Sequence, residues 1–336
     1  MGGAGLAVVL LLIVGIGLLA FFLIKNFILP RRAAAAAERL TKGNVYKAIR
    51  SAKAAVEKNP QDAEAHYLLG RAYLADGRNE QAFREYRSAS RLGIEGKNIP
   101  EREFREAMAG LYAQFKEEEE ALKEYVLLIK SHPENPEYYF QAGKLFSSRN
   151  KGDLADQYLR KAVSLNPREE SYRFELGMHY YGSKRIKEAA GEFDASLKLN
   201  PTNGQSLLYM GKIFKDAKNY TGAIPYLERA ARDQDCKLRA LVELGSCYMS
   251  LKTMDRAIAE LERGVACITN EAEGDSLYAR YFLAMCYENT REFTKALAQW
   301  DKIYAQKKNF RDVGEKLTQY IDYRTEGAGK ESTRRP

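Results

Sequence analysis

The chain has 336 residues, 45% hydrophobic and 29% charged, which is enough apolar content to fold and enough length for two or more ordinary domains. Its formal net charge of +8 comes without a dense Lys/Arg stripe, so nucleic acid is not the expected partner. The four cysteines, Cys236, Cys247, Cys267 and Cys286, lack CxxC spacing and a neighbouring histidine, which excludes a sequence-evident zinc or thioredoxin-type site. They read as small, half-buried helix residues of a protein in a reducing compartment.

The first element is an apolar run from Met1 to Ile24 without a charge. As a helix it is about 36 Å long, enough to cross a ~30 Å hydrocarbon core. A cleaved signal peptide would carry a basic start and a shorter apolar stretch. Residues 1–30 are therefore expected to be a single-pass anchor in a cell (inner) membrane, with the lipid bilayer as partner of residues 1–24. Lys25, Arg31 and Arg32 follow the run and none precedes it, which places the rest of the chain in the cytoplasm, with the periplasm as the alternative.

From there the sequence is periodic. Alanines recur at 48, 82, 121, 155, 189, 223, 257 and 296, with gaps of 34 residues interrupted by two of 39. Gly70, Gly143, Gly177, Gly211 and Gly245 each stand twelve residues before one of these alanines, and Ala36, Ala109 and Ala284 hold that place in the other units. Pro60, Pro133, Pro167 and Pro201 close several units. The gaps of 39 mark five-residue insertions near residues 93–100 and 269–275. Within a unit, apolar residues recur at helical spacing on both sides of a short polar turn, as in Leu176 and Tyr180, then Ala189 and Phe193. Each unit predicts two helices, brought close by Gly177 and Ala189 or their equivalents and stopped by the proline. One such hairpin cannot bury its own apolar faces, whereas stacked copies can.

The stretches ALVELGSCY…RAIAEL and YYFQAGKLF…LADQYL carry a pattern that resembles the tetratricopeptide repeat family over about residues 31–307. The resemblance implies an all-α fold, a right-handed superhelix of helix-turn-helix repeats following the transmembrane helix. A partial, capping repeat is expected at 31–60 and about seven repeats at 61–307. NFRDVGEKLTQYIDYR predicts a closing helix at 308–324, and 325–336 reads as a disordered tail.

No metal, nucleotide or nucleophile signature is present, the three histidines are scattered, and KEEEE at 116–120 falls at a hairpin turn as a solvated charge run. The chain is thus expected not to be an enzyme, and neither cofactor nor small-molecule substrate is expected. By the resemblance, first helices line a concave groove that takes segments of other proteins. The groove positions are Tyr67, Arg71, Phe140, Lys144, Phe174, Met178, Tyr181, Tyr209, Lys212, Lys215, Arg239, Tyr278 and Tyr281. Aromatic and arginine side chains of this kind anchor protein interfaces. Family members with a carboxylate clamp use Asn where this chain has Lys144, Met178 and Lys212, so the resemblance does not extend to that ligand. The expected role is a membrane-tethered adaptor of the bacterial envelope type. The alternative is an assembly component of a large envelope machine, since the anchor, repeats and ending are similar to repeat proteins of the spirochaete flagellar-motor collar. An organelle import receptor shares the same layout.

Overall fold

The computed structural model describes Ile16, Gly17, Leu19 and residues 44–95 and 97–320. These contain sixteen α-helices and no strand. Among them no helix is long and apolar enough to cross a membrane. The expected span, the first helix of the capping repeat and the expected tail lie outside the described residues, apart from Ile16, Gly17 and Leu19.

The chain divides into two compact units, up to Leu145 and from Phe146, a division the period does not announce. The first holds α1 (Val45–Lys58), α2 (Ala63–Ala75), α3 (Asn79–Leu92), α4 (Glu101–Gln114), α5 (Glu118–Ser131) and most of α6 (Pro136–Ser148). The second holds α7 (Gly152–Leu165), α8 (Glu170–Gly182), α9 (Ile186–Leu199), α10 (Gly204–Asp216) and α11 (Tyr220–Ala230). It continues with α12 (Lys237–Ser250), α13 (Met254–Ala266), α14 (Gly274–Asn289), α15 (Phe293–Gln306) and α16 (Val313–Gln319). Helices pack as hairpins: α2 with α3 and α4 with α5 in the first unit, then α8 with α9, α10 with α11, α12 with α13 and α14 with α15 in the second.

Glycine sets the depth of four of the hairpins. A Cβ on Gly177 would lie 2.8 Å from the Phe193 ring, and one on Gly70 2.7 Å from Tyr86. On Gly211 it would meet Leu227 at 2.5 Å, and on Gly245 Leu261 at 2.4 Å. The bare Cα is the only surface that lets a ring or leucine sixteen residues later settle against the first helix. The alanine column lies in the same layer, with Ala82, Ala121, Ala155, Ala189, Ala223, Ala257 and Ala296 all 0% exposed.

Both ends of the hairpin are written in local chemistry. At the repeat end the helix stops before an Asn-Pro pair. Asn166 and Asn200 adopt φ −135° and −132°, because the residue before a proline is pushed out of the helical region. Asn203 then caps α10 by accepting from the Ser206 N–H at 2.7 Å. At the hairpin turn the first helix closes in a Schellman arrangement. The N–H of Arg185 donates to the Tyr180 carbonyl at 2.9 Å and that of Lys184 to Tyr181 at 3.0 Å. The same pair of bonds recurs at Gly77, Lys116, Asn150, Lys218, Lys252 and Arg291. Each of these residues has a positive φ, between 57° and 74°. Six of the seven are not glycine, although glycine adopts this region without cost and other residues pay roughly 1–2 kcal/mol for it.

The two insertions fall between hairpins, before α4 and before α14. The second is pinned from within. Arg280, 4% exposed, donates through Nε to Glu271 Oε2 at 2.7 Å and through Nη1 to Gln299 Oε1 at 2.7 Å. Within the expected closing segment, residues 308–312 form turns, Phe310 and Val313 are buried, and α16 covers Val313–Gln319, while residues 321–324 lie outside the described residues.

Two stability changes follow. Ala189→Leu overfills the α8–α9 hairpin and lowers the unfolding free energy by about 1–3 kcal/mol, read as a lower urea midpoint. Lys184→Gly or Lys218→Gly relieves a left-handed residue and raises it by about 0.5–1 kcal/mol. A lower midpoint for the glycine variants would mean that the lysine side chains stabilise the turn by more than the backbone conformation costs.

Candidate functional site

The first helices of successive hairpins lie beside one another in the second unit, α10 against α12 and α12 against α14. Their exposed faces enclose a cavity of about 310 Å³. Leu208, Tyr209, Lys212 and Lys215 reach it from α10, spaced so that one helix face carries them all. Arg239, Val242 and Glu243 come from α12, Asp275, Tyr278 and Phe282 from α14, and Arg311 from the turn before α16.

The electrostatics are uneven. Lys215 Nζ is hydrogen-bonded to Glu243, and Lys212 Nζ stands 3.9 Å from the same carboxylate. Arg239 Nε is 3.9 Å from Asp275. Arg311 has no carboxylate partner in the cavity. Its guanidinium lies 5.1 Å from the Tyr278 ring centre and 4.9 Å from that of Tyr281. Four cations thus meet two carboxylates on a wall that also carries Tyr209, Tyr278 and Phe282. Lys212 Nζ sits 5.5 Å from the Tyr209 ring, an arrangement that favours the cation over the π face.

Of the thirteen residues expected in the groove, the cavity brings together Tyr209, Lys212, Lys215, Arg239 and Tyr278. Tyr181 and Phe174 adjoin it, with ring centres 5.1 Å and 6.3 Å from Tyr209. Burial first, and then Asp216, pushes the Tyr181 hydroxyl up to about 12. Met178 is half-buried on α8. In the first unit Arg71 approaches Glu103 at 3.9 Å, and Lys144 Nζ lies 5.2 Å from the Phe140 ring.

Three positions are placed differently from the expectation. Tyr67, Phe140 and Tyr281 are 1%, 8% and 6% exposed, and their rings are core side chains rather than a lining. Tyr67 packs edge-on against Tyr86 at 5.9 Å, and Tyr281 against Trp300 at 5.2 Å, with its hydroxyl donating to Asp312 at 2.8 Å. A first helix must bury one side in its own hairpin and another against the next repeat, so neighbouring aromatics on it face different ways.

Glu243, Asp275, Phe282 and Arg311 were not among the expected groove residues. Tyr209, Glu243 and Phe282 occupy one place in three successive units, a signal the period offered. Arg311 lies beyond the last unit, where no column exists to align it.

Models of the tetratricopeptide repeat match residues 39–90 and 215–281 and, in a second form, 140–204, together more than half of the chain. The chain belongs to the tetratricopeptide repeat family. Among curated relatives, anaphase-promoting complex subunit 3 of Schizosaccharomyces pombe is 25% identical over 182 residues, covering 54% of this chain and 27% of that protein. Human protein O-mannosyl-transferase TMTC1 is 27% identical over 172 residues, 50% of this chain and 19% of that one. The chain therefore spans about a quarter or less of the length of these relatives. Among solved structures the APC/C hetero-tetramer Cut9-Hcn1 superposes with a TM-score of 0.54 at 17% identity, covering 82% of this chain and 52% of that one. Yeast Tom70 gives 0.50 at 16% identity, with 87% and 60% covered. At such identities the likeness is one of fold.

Among the described residues no cluster of three or more His, Cys, Asp or Glu could hold a metal ion. Cys236, Cys247 and Cys286 are 0% exposed, and burial pushes the Cys247 thiol up to about 11 and that of Cys286 to about 12. Cys267 is partly exposed. At about pH 8, where thiolate is the reacting form, iodoacetamide should modify Cys267 alone in the folded protein and all four cysteines after unfolding. Prompt labelling of Cys247 or Cys286 would contradict the burial.

Proposed function

We propose that the chain is a membrane-tethered interaction scaffold, and that the cavity between α10, α12 and α14 takes an acidic segment of a partner protein. The observation that carries the reading is the cavity itself: four cations against two carboxylates, on aromatic walls, at adjacent first helices. Its volume of about 310 Å³ is at the small end of binding pockets, so it accepts one or two side chains of a longer segment. Rigid rings offer contact area at little entropic cost, and guanidinium and ammonium groups give charge-assisted hydrogen bonds to carboxylates. The family supports protein binding, since tetratricopeptide proteins such as anaphase-promoting complex subunit 3 work in protein assemblies. The tether is supported by the apolar run of residues 1–24 and the basic residues that follow it.

Fluorescence polarisation against a peptide set graded from acidic to basic tests the cavity. Acidic peptides with a neighbouring aromatic should bind best, and Lys212→Ala with Arg311→Ala should weaken them by about tenfold or more. The fold should survive, because neither side chain belongs to the core. Equal binding of basic peptides, or an unaffected double variant, would remove the cavity from consideration.

A further inference from the structure

The second unit has two chemically different ends. All its hairpin turns lie at one end of the helices and all its repeat connections at the other. The turn segments 148–153, 182–188, 216–222, 250–256 and 289–295 carry ten Lys/Arg against five Asp/Glu. The connections 165–171, 199–205, 231–237, 267–275 and 306–312 carry six against eight. At the turn end the acids are partly engaged: Glu188 bonds Arg185 at 3.1 Å and Glu292 bonds Lys295 at 2.6 Å.

The cations that remain form a ladder. Lys184, Lys218, Lys252 and Arg291 stand at one place in four successive hairpins, are exposed, and make no ion pair with a described residue. All four are the left-handed residue of their turn, with φ 60°, 59°, 60° and 65°. Glycine is the residue this conformation favours. A cation near a helix C-terminus gains a little from the dipole, which at best offsets the backbone cost. Stability alone therefore does not select the ladder, and a recurring strained residue points to use.

We propose that the turn end of the second unit rests on an anionic lipid surface, with Lys184, Lys218, Lys252 and Arg291 against the headgroups. This rests on the tethered reading above, which keeps a bilayer within reach of the repeats. The spacing favours lipid over nucleic acid. Packed helices stand about 8–10 Å apart, so one cation per repeat gives a sparse, even row. Duplex nucleic acid presents a charge every ~1.7 Å and is met by dense basic patches. A bilayer presents charge over a plane, and each basic residue at its surface strengthens attachment by about fivefold.

The test uses the full chain in nanodiscs of phosphatidylcholine, with or without phosphatidylserine, and reads lysine acylation by mass spectrometry. At about 0.1 M NaCl, where screening acts over about 10 Å, the anionic discs should slow acylation of Lys184, Lys218 and Lys252 by about tenfold. Lys237, Lys307 and Lys308, at the other end, should react alike in both discs. High salt should abolish the difference. A variant with Lys184→Gly, Lys218→Gly and Lys252→Gly keeps the turn conformation, so it removes charge without endangering the fold. In it Lys151 and Lys187, on the same end, should lose their protection. Equal acylation in both discs overturns the proposal, and so does protection that appears only when duplex RNA replaces the lipid. The tether is judged separately by retention of the chain in neutral discs after a wash at about 1 M NaCl, where screening shortens to about 3 Å. If the chain washes off, the acylation comparison with anionic discs present still decides the ladder.

Discussion

A ring or a leucine from the second helix of a hairpin lies on the bare Cα of a glycine in the first, and the rest of the fold follows from that contact. The distance is fixed by steric exclusion: Gly177 cannot carry a Cβ while Phe193 stays where it is. The partner of Gly70, Gly177, Gly211 and Gly245 is sixteen residues on, and where alanine replaces glycine the sequence keeps a bulky residue at that place, Tyr125 after Ala109 and Trp300 after Ala284. A residue added inside a hairpin would break this pairing and turn apolar faces outward. A residue added between hairpins leaves it untouched. Both five-residue insertions lie between hairpins, which is where the constraint permits them. The loop that carries the second is then held by Arg280, whose burial is tolerated because Glu271 and Gln299 satisfy its guanidinium.

Much of this was legible in the sequence. The glycine and alanine columns predicted close helix approach, and the structure shows the rings that make approach necessary. The prolines predicted repeat ends, and Pro167 and Pro201 act one residue earlier than a simple stop, through the non-helical conformation of the preceding asparagine. The cysteines read as small, half-buried helix residues, but Cys236, Cys247 and Cys286 are fully buried, and Cys236 and Cys267 lie at helix ends. The left-handed residues were not readable. A propensity rule looks for glycine at a helix C-terminus, and among the described hairpin turns glycine takes that place only at Gly77.

The candidate site was legible in part, for a physical reason. A first helix has three neighbours: its hairpin partner, the next repeat and solvent. Periodicity separates the first of these cleanly, because one contact recurs in every unit. It does not separate the other two, because the positions are adjacent on the helix. Tyr278 and Tyr281 illustrate this, one turn apart, the first lining the cavity and the second donating its hydroxyl to Asp312 in the segment that follows the hairpin. Arg311 illustrates a different limit, since it belongs to the closing turn and inherits nothing from the period.

The two kinds of position answer to different constraints. Scaffold columns are held to glycine, alanine and a bulky apolar partner by contacts that leave no alternative. The column that yields Tyr209, Glu243 and Phe282 faces a cavity, and no hairpin contact holds it to one residue type. The stronger the repeat pattern at a position, the less it can say about binding, because the same contact is required in every hairpin whatever the protein does. Successive units differ at the cavity instead: an aromatic, a carboxylate and another aromatic in one column, two lysines one turn apart on α10, and an arginine supplied from outside the series. These differences give one stretch of a uniform stack a charge and shape of its own, while the glycine-to-ring contacts beneath it hold the helices that present them.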